Sequence, residues 1–302
     1  MINIVKVFFL LAVLFIVACN SESTVQNASK EYQKEIKEWD SKRIANLKKE
    51  TGWLNLVGLY WLKEGENSFG SDKTNDITFP ENKASAFLGK IIKKDSVITT
   101  IIQEGVTVTH NGNQVKTIEV KADVTGDRTI LNHNNLRWFI IKRGDKYGIR
   151  LRDLEAELVK NFEGIERFPI NEDWKIIAKF EKYNTPKRIM IPTILGTIEE
   201  DYSPGKLNFS ISNKEYSLEP TSSGGGLFIV FADLTSGEES YGAGRFLYVD
   251  GPDSNNNVIL DFNKSYNPPC AFTKYATCPL PPDENKLRVR INAGEKNYGE
   301  GH

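Results

Sequence analysis

The chain has 302 residues, with 39 Lys or Arg against 40 Asp or Glu, a formal net charge of −1. Apolar residues make up 39% and charged residues 26%, which supports a packed core and excludes bulk disorder. The balanced charge gives no electrostatic reason to expect nucleic acid as a partner, and three histidines, His110, His133 and His302, supply histidine-based catalysis poorly.

Lys6 precedes an unbroken apolar run, Val7 to Val17. At eleven residues the run is too short to span a bilayer as a helix, which takes about 20 residues. It fits the apolar centre of a secretory signal. The run ends at Ile16-Val17-Ala18-Cys19. This resembles the lipobox of bacterial lipoproteins, with isoleucine where leucine is usual. The reading is a lipoprotein signal peptide over residues 1–18, acylation of Cys19, and a polar tether over 19–30 rich in Ser and Asn. The protein is then expected in the bacterial cell envelope, exported and held to the membrane by its lipid. The alternative is an ordinary signal or anchor with Cys19 incidental.

A single β-rich domain is expected over residues 31–302. It opens with a helix, because Tyr32, Ile36, Trp39 and Leu47 recur near one face; Gly52 is placed as its C-cap. Trp53 to Leu62 is dense in aromatic and aliphatic residues and reads as a buried strand, closed by a turn over Lys63 to Asn67. Val106 to His110 alternates and runs into Asn111-Gly112, a strong hairpin signal. Arg137 to Arg143 and Lys146 to Arg152 flank Gly144-Asp145 as a second hairpin. Lys187 to Ile198, Leu207 to Ile211 and Leu227 to Phe231 are expected as further strands. The fold class is mainly β, a sandwich or barrel of short antiparallel strands with one N-terminal helix.

The C-terminal third carries the distinctive residues. Leu227 to Phe231 runs into Asp233, and Val258-Ile259-Leu260 into Asp261. Thr235-Ser236-Gly237, Tyr241-Gly242-Ala243-Gly244-Arg245 and the stretch from Asp261 to Pro282 complete the pattern. Together with Gly52-Trp53-Leu54, Gly58 to Leu62 and Arg150-Leu151-Arg152-Asp153, they resemble the bacterial and archaeal family known as domain of unknown function 1684, over roughly residues 35 to 300. Ser240 and Ser265 stand where that family more often has threonine and alanine. The resemblance implies no known activity, and no cofactor is expected.

Residues 268–282 hold five of the twelve prolines and both Cys270 and Cys278. Proline removes amide donors, so this is read as a stiff loop. The cysteines are expected to form a disulfide in an oxidising envelope; structural thiols, a metal site and a catalytic thiol are the alternatives. Ser222 to Gly226 lacks the ending of a phosphate loop, and Ser240 lacks the spacing of a hydrolase elbow.

The polar set Asp233, Tyr241, Arg245, Asp261, Asn263, Tyr266, Glu284 and Asn285 forms the candidate ligand site. One reading is binding of a small polar or anionic ligand through Arg245, or a role in envelope upkeep. A second is a hydrolase using Asp, Glu and Tyr for acid–base work. A third is a structural scaffold, with the same groups forming a buried salt-bridge network. The ligand reading needs the strands before Asp233 and Asp261 to deliver both carboxylates to one end of a sheet, beneath the proline-rich loop.

Overall fold

The computed structural model describes residues 28–299. The apolar run, Cys19 and most of the tether lie outside the described residues, as does His302. Among the described residues, strands account for 43% and there are two α-helices, one of them long. The mainly-β expectation with one N-terminal helix therefore holds.

Helix α1 (Lys30–Lys48) starts at Ser29, whose side chain accepts from the Tyr32 amide at 3.2 Å. Its buried face is Tyr32, Ile36 and Leu47, while Trp39 is only half-buried. The C-cap is Lys49, not Gly52. Gly52 has another task. The chain doubles back there so closely that any side chain would collide with the Leu47 carbonyl.

Eleven strands follow as a first group: β1 (Leu56–Trp61), β2 (Gly65–Gly70), β3 (Ile77–Thr78), β4 (Gly89–Lys94), β5 (Val97–Ile102), β6 (Thr109–His110), β7 (Asn113–Gln114), β8 (Thr117–Glu119), β9 (Leu131–His133), β10 (Leu136–Arg143) and β11 (Lys146–Asp153). They form a six-stranded sheet, ordered β1-β11-β10-β9-β6-β7, and a five-stranded sheet, ordered β3-β2-β4-β5-β8. The core between them includes Phe69, Phe79, Ile91, Ile98, Trp138, Ile140, Ile149 and Leu151. Strand β1 is shorter than expected, since Trp53 to Asn55 lie in the turn that precedes it. The turn after β1 is also shorter: Asn67 sits inside β2 and its side chain accepts from the Lys63 amide at 2.9 Å. Asn111 and Gly112 both take positive φ, 49° and 79°, as a type I′ turn demands. Of the expected strand, Thr109 and His110 form the ladder of that hairpin, and the Val108 carbonyl accepts from the Val115 amide at 2.9 Å.

After the short helix α2 (Glu157–Asn161) comes a second group: β12 (Lys175–Pro192), β13 (Ile198–Ile211), β14 (Lys214–Leu218), β15 (Thr221–Ser223), β16 (Gly226–Phe231), β17 (Arg245–Val249) and β18 (Asn257–Asp261). A four-stranded sheet, β14-β13-β12-β18, packs on a three-stranded sheet, β15-β16-β17. The expected strand Lys187 to Ile198 is broken by a turn at Thr193–Thr197, where Gly196 has φ 74°. The core here includes Ala178, Leu207, Ile229, Phe231, Leu247, Leu260 and Phe262. Strand β16 is apolar on both faces because both are covered. Ile229 and Phe231 face that core, while Phe228 and Val230 pack with Trp53, Ala276 and Cys278.

The proline-rich loop is thus a filler between the two sheet systems. Thr273 Oγ1 donates to the Leu56 carbonyl at 3.1 Å on one side. On the other, the Ile194 amide donates to the Cys278 carbonyl at 3.0 Å and the Leu280 amide to the Pro192 carbonyl at 2.7 Å. Cys270 and Cys278 are joined by a disulfide within it, Cα–Cα 6.2 Å.

Candidate functional site

The polar residues of the C-terminal third do not converge. Asp233 follows β16 in the three-stranded sheet and Asp261 ends β18 in the four-stranded sheet, so no single sheet delivers both. Asp233 Oδ1 pairs with Arg245 Nη2 at 3.0 Å, and both side chains are fully buried. Arg245 also donates to the carbonyls of Ala293 and Ile291, and Asp233 Oδ2 accepts from the Ile291 amide at 2.7 Å. Burial lowers the Arg245 pKa and the Asp233 charge opposes it. The pair is enclosed on every side, with Arg245 Nε alone of its guanidinium nitrogens lacking a partner.

Asp261 belongs to a separate network under α1. Tyr32 donates to its Oδ1 at 2.6 Å, and Asn263 Nδ2 donates to the Tyr32 hydroxyl at 3.0 Å. Tyr266 lies beneath the Arg43 guanidinium, 4.6 Å from ring centroid to Cζ. Burial raises its phenol pKa while Arg43 pulls the other way. Tyr241 packs against Phe162 and Phe272 in a small apolar cluster. Glu284 is exposed beside Lys187 at 3.4 Å. Asn285 clamps the Glu219 backbone, accepting from its amide at 2.7 Å and donating to its carbonyl at 3.0 Å.

A buried acid that local sequence reading misses is Glu295. It is fully buried, accepts from the Asn267 amide at 2.6 Å and pairs with Arg43 at 3.1 Å and, more loosely, Arg167 at 3.8 Å. Its cations come from α1 and from the segment before β12, so nothing near it in sequence announces the pairing.

The cations that lack a counter-charge gather in the first sheet system. Strands β10 and β11 pair so that Arg137 lies opposite Arg152 and Phe139 opposite Arg150. Opposed residues share a face. The other face carries Trp138, Ile140, Ile149 and Leu151 into the core, so the arginines gather on the outer side. Arg150 and Arg152 are nonetheless buried, covered by the turn before β1 and by the proline-rich loop. Trp53 lies 5.4 Å from the Arg150 guanidinium and 5.8 Å from that of Arg152. Arg128 stacks 4.3 Å from the Phe139 ring.

No carboxylate pairs with Arg128, Arg137, Arg150 or Arg152 among the described residues; in this cluster only Arg143 has one, Asp123 at 2.9 Å. Arg150 donates to Thr277 Oγ1, and its Nε has no partner. Both hydrogen bonds of Arg152 leave from Nη1, to the Gly52 carbonyl and to Asn55 Oδ1. Burial pushes the Arg150 pKa down to about 10, and the charges of Arg143 and Arg152 add to it. Burial pushes Arg152 down to about 10 as well, helped by Arg128. Charges held like this at a cost, without counter-charge, mark a functional site better than a satisfied network does.

Arg128, Arg137 and Arg152 line a cavity of about 240 Å³, floored by Phe139 and rimmed by the Asn111-Gly112 turn, Asn132 and the exposed Glu50. Guanidinium groups are suited to grip carboxylate or phosphate oxygens two at a time. The alternation Arg150-Leu151-Arg152 was the legible signal, since it sets both arginines on one face of a strand.

These features define a β-rich protein with a half-open, arginine-lined pocket. Residues 160–296 match the model of the family described as protein of unknown function (DUF1684), which supports the resemblance over that segment. The arginine pocket lies upstream of it. An uncharacterized protein of Haloarcula marismortui, solved by NMR in solution, is similar at 26% identity over 46% of this chain and 80% of its own, with a TM-score of 0.39. The FHA domain of FhaA, solved in complex with the intracellular domain of Rv3910, is similar at 15% identity over 31% of this chain and 97% of its own, with a TM-score of 0.23. Both superpositions are too loose to establish a common fold. No curated protein matches the chain.

Proposed function

We propose that the protein is a lipid-anchored envelope protein that binds a small oxyanion ligand, a carboxylate or phosphate, in the pocket of Arg128, Arg137 and Arg152. The observation that carries this is three guanidinium groups around one cavity with no ion-paired carboxylate among them. A bound oxyanion would offset the desolvation that already depresses the Arg152 pKa. The reading keeps the anionic ligand expected from the sequence and moves its site from Arg245 to the outer face of β10 and β11.

The envelope location rests on the sequence features Lys6, Val7 to Val17 and Cys19. The Cys270–Cys278 disulfide supports it, because such bonds persist in oxidising compartments. In a host that processes the precursor, Cys19→Ala should abolish fatty-acid labelling; labelling retained by the mutant removes the anchor from this proposal.

The binding test is isothermal titration of the purified protein with inorganic phosphate and with citrate at constant ionic strength. Arg128→Gln should weaken binding, because one charge-assisted hydrogen bond is lost, about 1.5–3 kcal/mol or roughly ten- to a hundredfold in affinity. Arg128 makes no hydrogen bond or ion pair among the described residues, so the variant should keep its fold. Equal affinity of wild type and Arg128→Gln for both anions would sink the proposal.

A further inference from the structure

A second cleft, built by the other sheet system, has the opposite character. Its volume is about 160 Å³, roughly that of five waters in the liquid. It lies between the β12–β13 ribbon, β16 and the proline-rich loop. Ile189, Ile191, Phe228 and Pro279 supply apolar walls.

Glu219 lines this cleft and is 4% exposed. Its Oε1 accepts from the Tyr183 hydroxyl at 2.7 Å and from Lys187 Nζ at 3.1 Å. Its Oε2 is buried and has no hydrogen-bond partner. Leaving a carboxylate oxygen unpaired in an apolar setting is costly, and the Asn285 clamp fixes the backbone that carries it. At the rim, Glu199 and Asp201 lie opposite Ile191 and Ile189, and therefore on the cleft side of the ribbon. Both are exposed, and neither has a cationic partner among the described residues; Arg188 is taken by Glu200 at 2.6 Å. Lys187 is divided between Glu219 and Glu284. Against that lysine stand four carboxylates: Glu199, Asp201, Glu219 and Glu284.

We infer that this cleft binds a primary alkylammonium ion. The ammonium has three donors and no acceptor, which suits the free Oε2 of Glu219. A short alkyl stem lies against the isoleucine and proline walls, and Glu199 and Asp201 attract the cation to the mouth. The site is separate from the arginine pocket and does not depend on it.

The test is titration of the full chain with n-butylammonium chloride, read by the methyl resonances of Ile189 and Ile191, with tetramethylammonium as a cation of equal charge that lacks N–H donors. The expected result is saturable shifts for n-butylammonium and at least tenfold weaker binding of tetramethylammonium. Glu219→Gln should lower n-butylammonium affinity at least tenfold. The rim double variant Glu199→Gln, Asp201→Asn should lower it about threefold, with its melting temperature unchanged because both side chains are exposed. Equal binding of the two cations overturns the proposal. So does an absence of wild-type shifts up to ~10 mM amine, a range that covers weak binders. Should Glu219→Gln fail to fold, the rim variant decides, and unchanged affinity there also overturns it.

Discussion

Arg150 Nη2 donates to Thr277 Oγ1 at 3.0 Å, across a separation of 127 residues. A hydroxyl of the proline-rich loop is thus the one hydrogen-bond partner, among the described residues, of a buried arginine that has no carboxylate. The same oxygen accepts from Arg143 Nε at 3.2 Å. Two positive groups therefore share one neutral acceptor.

Such an arginine costs stability. Arg150→Met keeps the volume and removes the charge, so it should raise the melting temperature by the equivalent of about 0.5–2 kcal/mol. The pH dependence has a definite sign. The folded-state pKa is depressed to about 10 below the ordinary arginine value, so the penalty is complete at neutral pH and is relieved only as pH rises through about 10. The gain from Arg150→Met should accordingly be constant between roughly pH 6 and pH 9. Thermal melts across that range decide it; a variant less stable than wild type would show that Arg150 is structural.

The Asp233–Arg245 pair should behave in the opposite way. Both side chains are fully buried, so Arg245→Ala strands a carboxylate in the core and should cost about 3–5 kcal/mol. Phosphate and citrate affinity should be unchanged in whatever fraction remains folded. Urea melts and the same titration measure both; a mild loss of stability would mean that Asp233 can find water.

Tyr32 ties α1 to the second sheet system. Tyr32→Phe removes the donor to Asp261 and the acceptor of Asn263 while keeping the ring. The cost should be about 1–3 kcal/mol, from losing the shortest hydrogen bond to a buried carboxylate; Asn263 still donates to the same oxygen, at 3.2 Å from its backbone amide and 3.3 Å from its side chain. Hydrogen exchange of α1 amides should rise more than that of β10 or β11. Uniform acceleration across the molecule would contradict this.

The disulfide closes a short loop, with a separation of 8 residues. Replacing both Cys270 and Cys278 by Ala should lower stability by about 2–3 kcal/mol. Alkylation followed by mass measurement under non-reducing conditions checks the bond itself; two freely alkylated thiols in the purified protein would refute it.

The parts of the fold legible in sequence were those specified locally. Helix α1 shows its buried stripe in the spacing of Tyr32, Ile36 and Leu47, and the Asn111-Gly112 and Gly144 turns announce themselves through backbone freedom. The length of β12 and β13 was not legible. Ile194 and Leu195 are apolar like a strand, yet they form an exposed turn, because apolar content does not specify direction. Asp233 and Asp261 look equivalent as strand-terminal acids, but which sheet each strand joins is a long-range property. The arginine pocket was half legible. The alternation at Arg150 and Arg152 sets one face, while the contributions of Arg128 and Arg137 depend on pairing partners that local patterns do not specify.

The placement of helix α1 bears on the order in which the molecule is made. Its Tyr32 and Arg43 find their partners 229 and 252 residues downstream, at Asp261 and Glu295. At a synthesis rate of roughly 5–20 residues per second, the first helix waits about 10–50 s for the residues that bury it. A helix made early therefore docks late. Until then Tyr32, Ile36 and Leu47 are open to whatever chaperone or transport factor meets the chain.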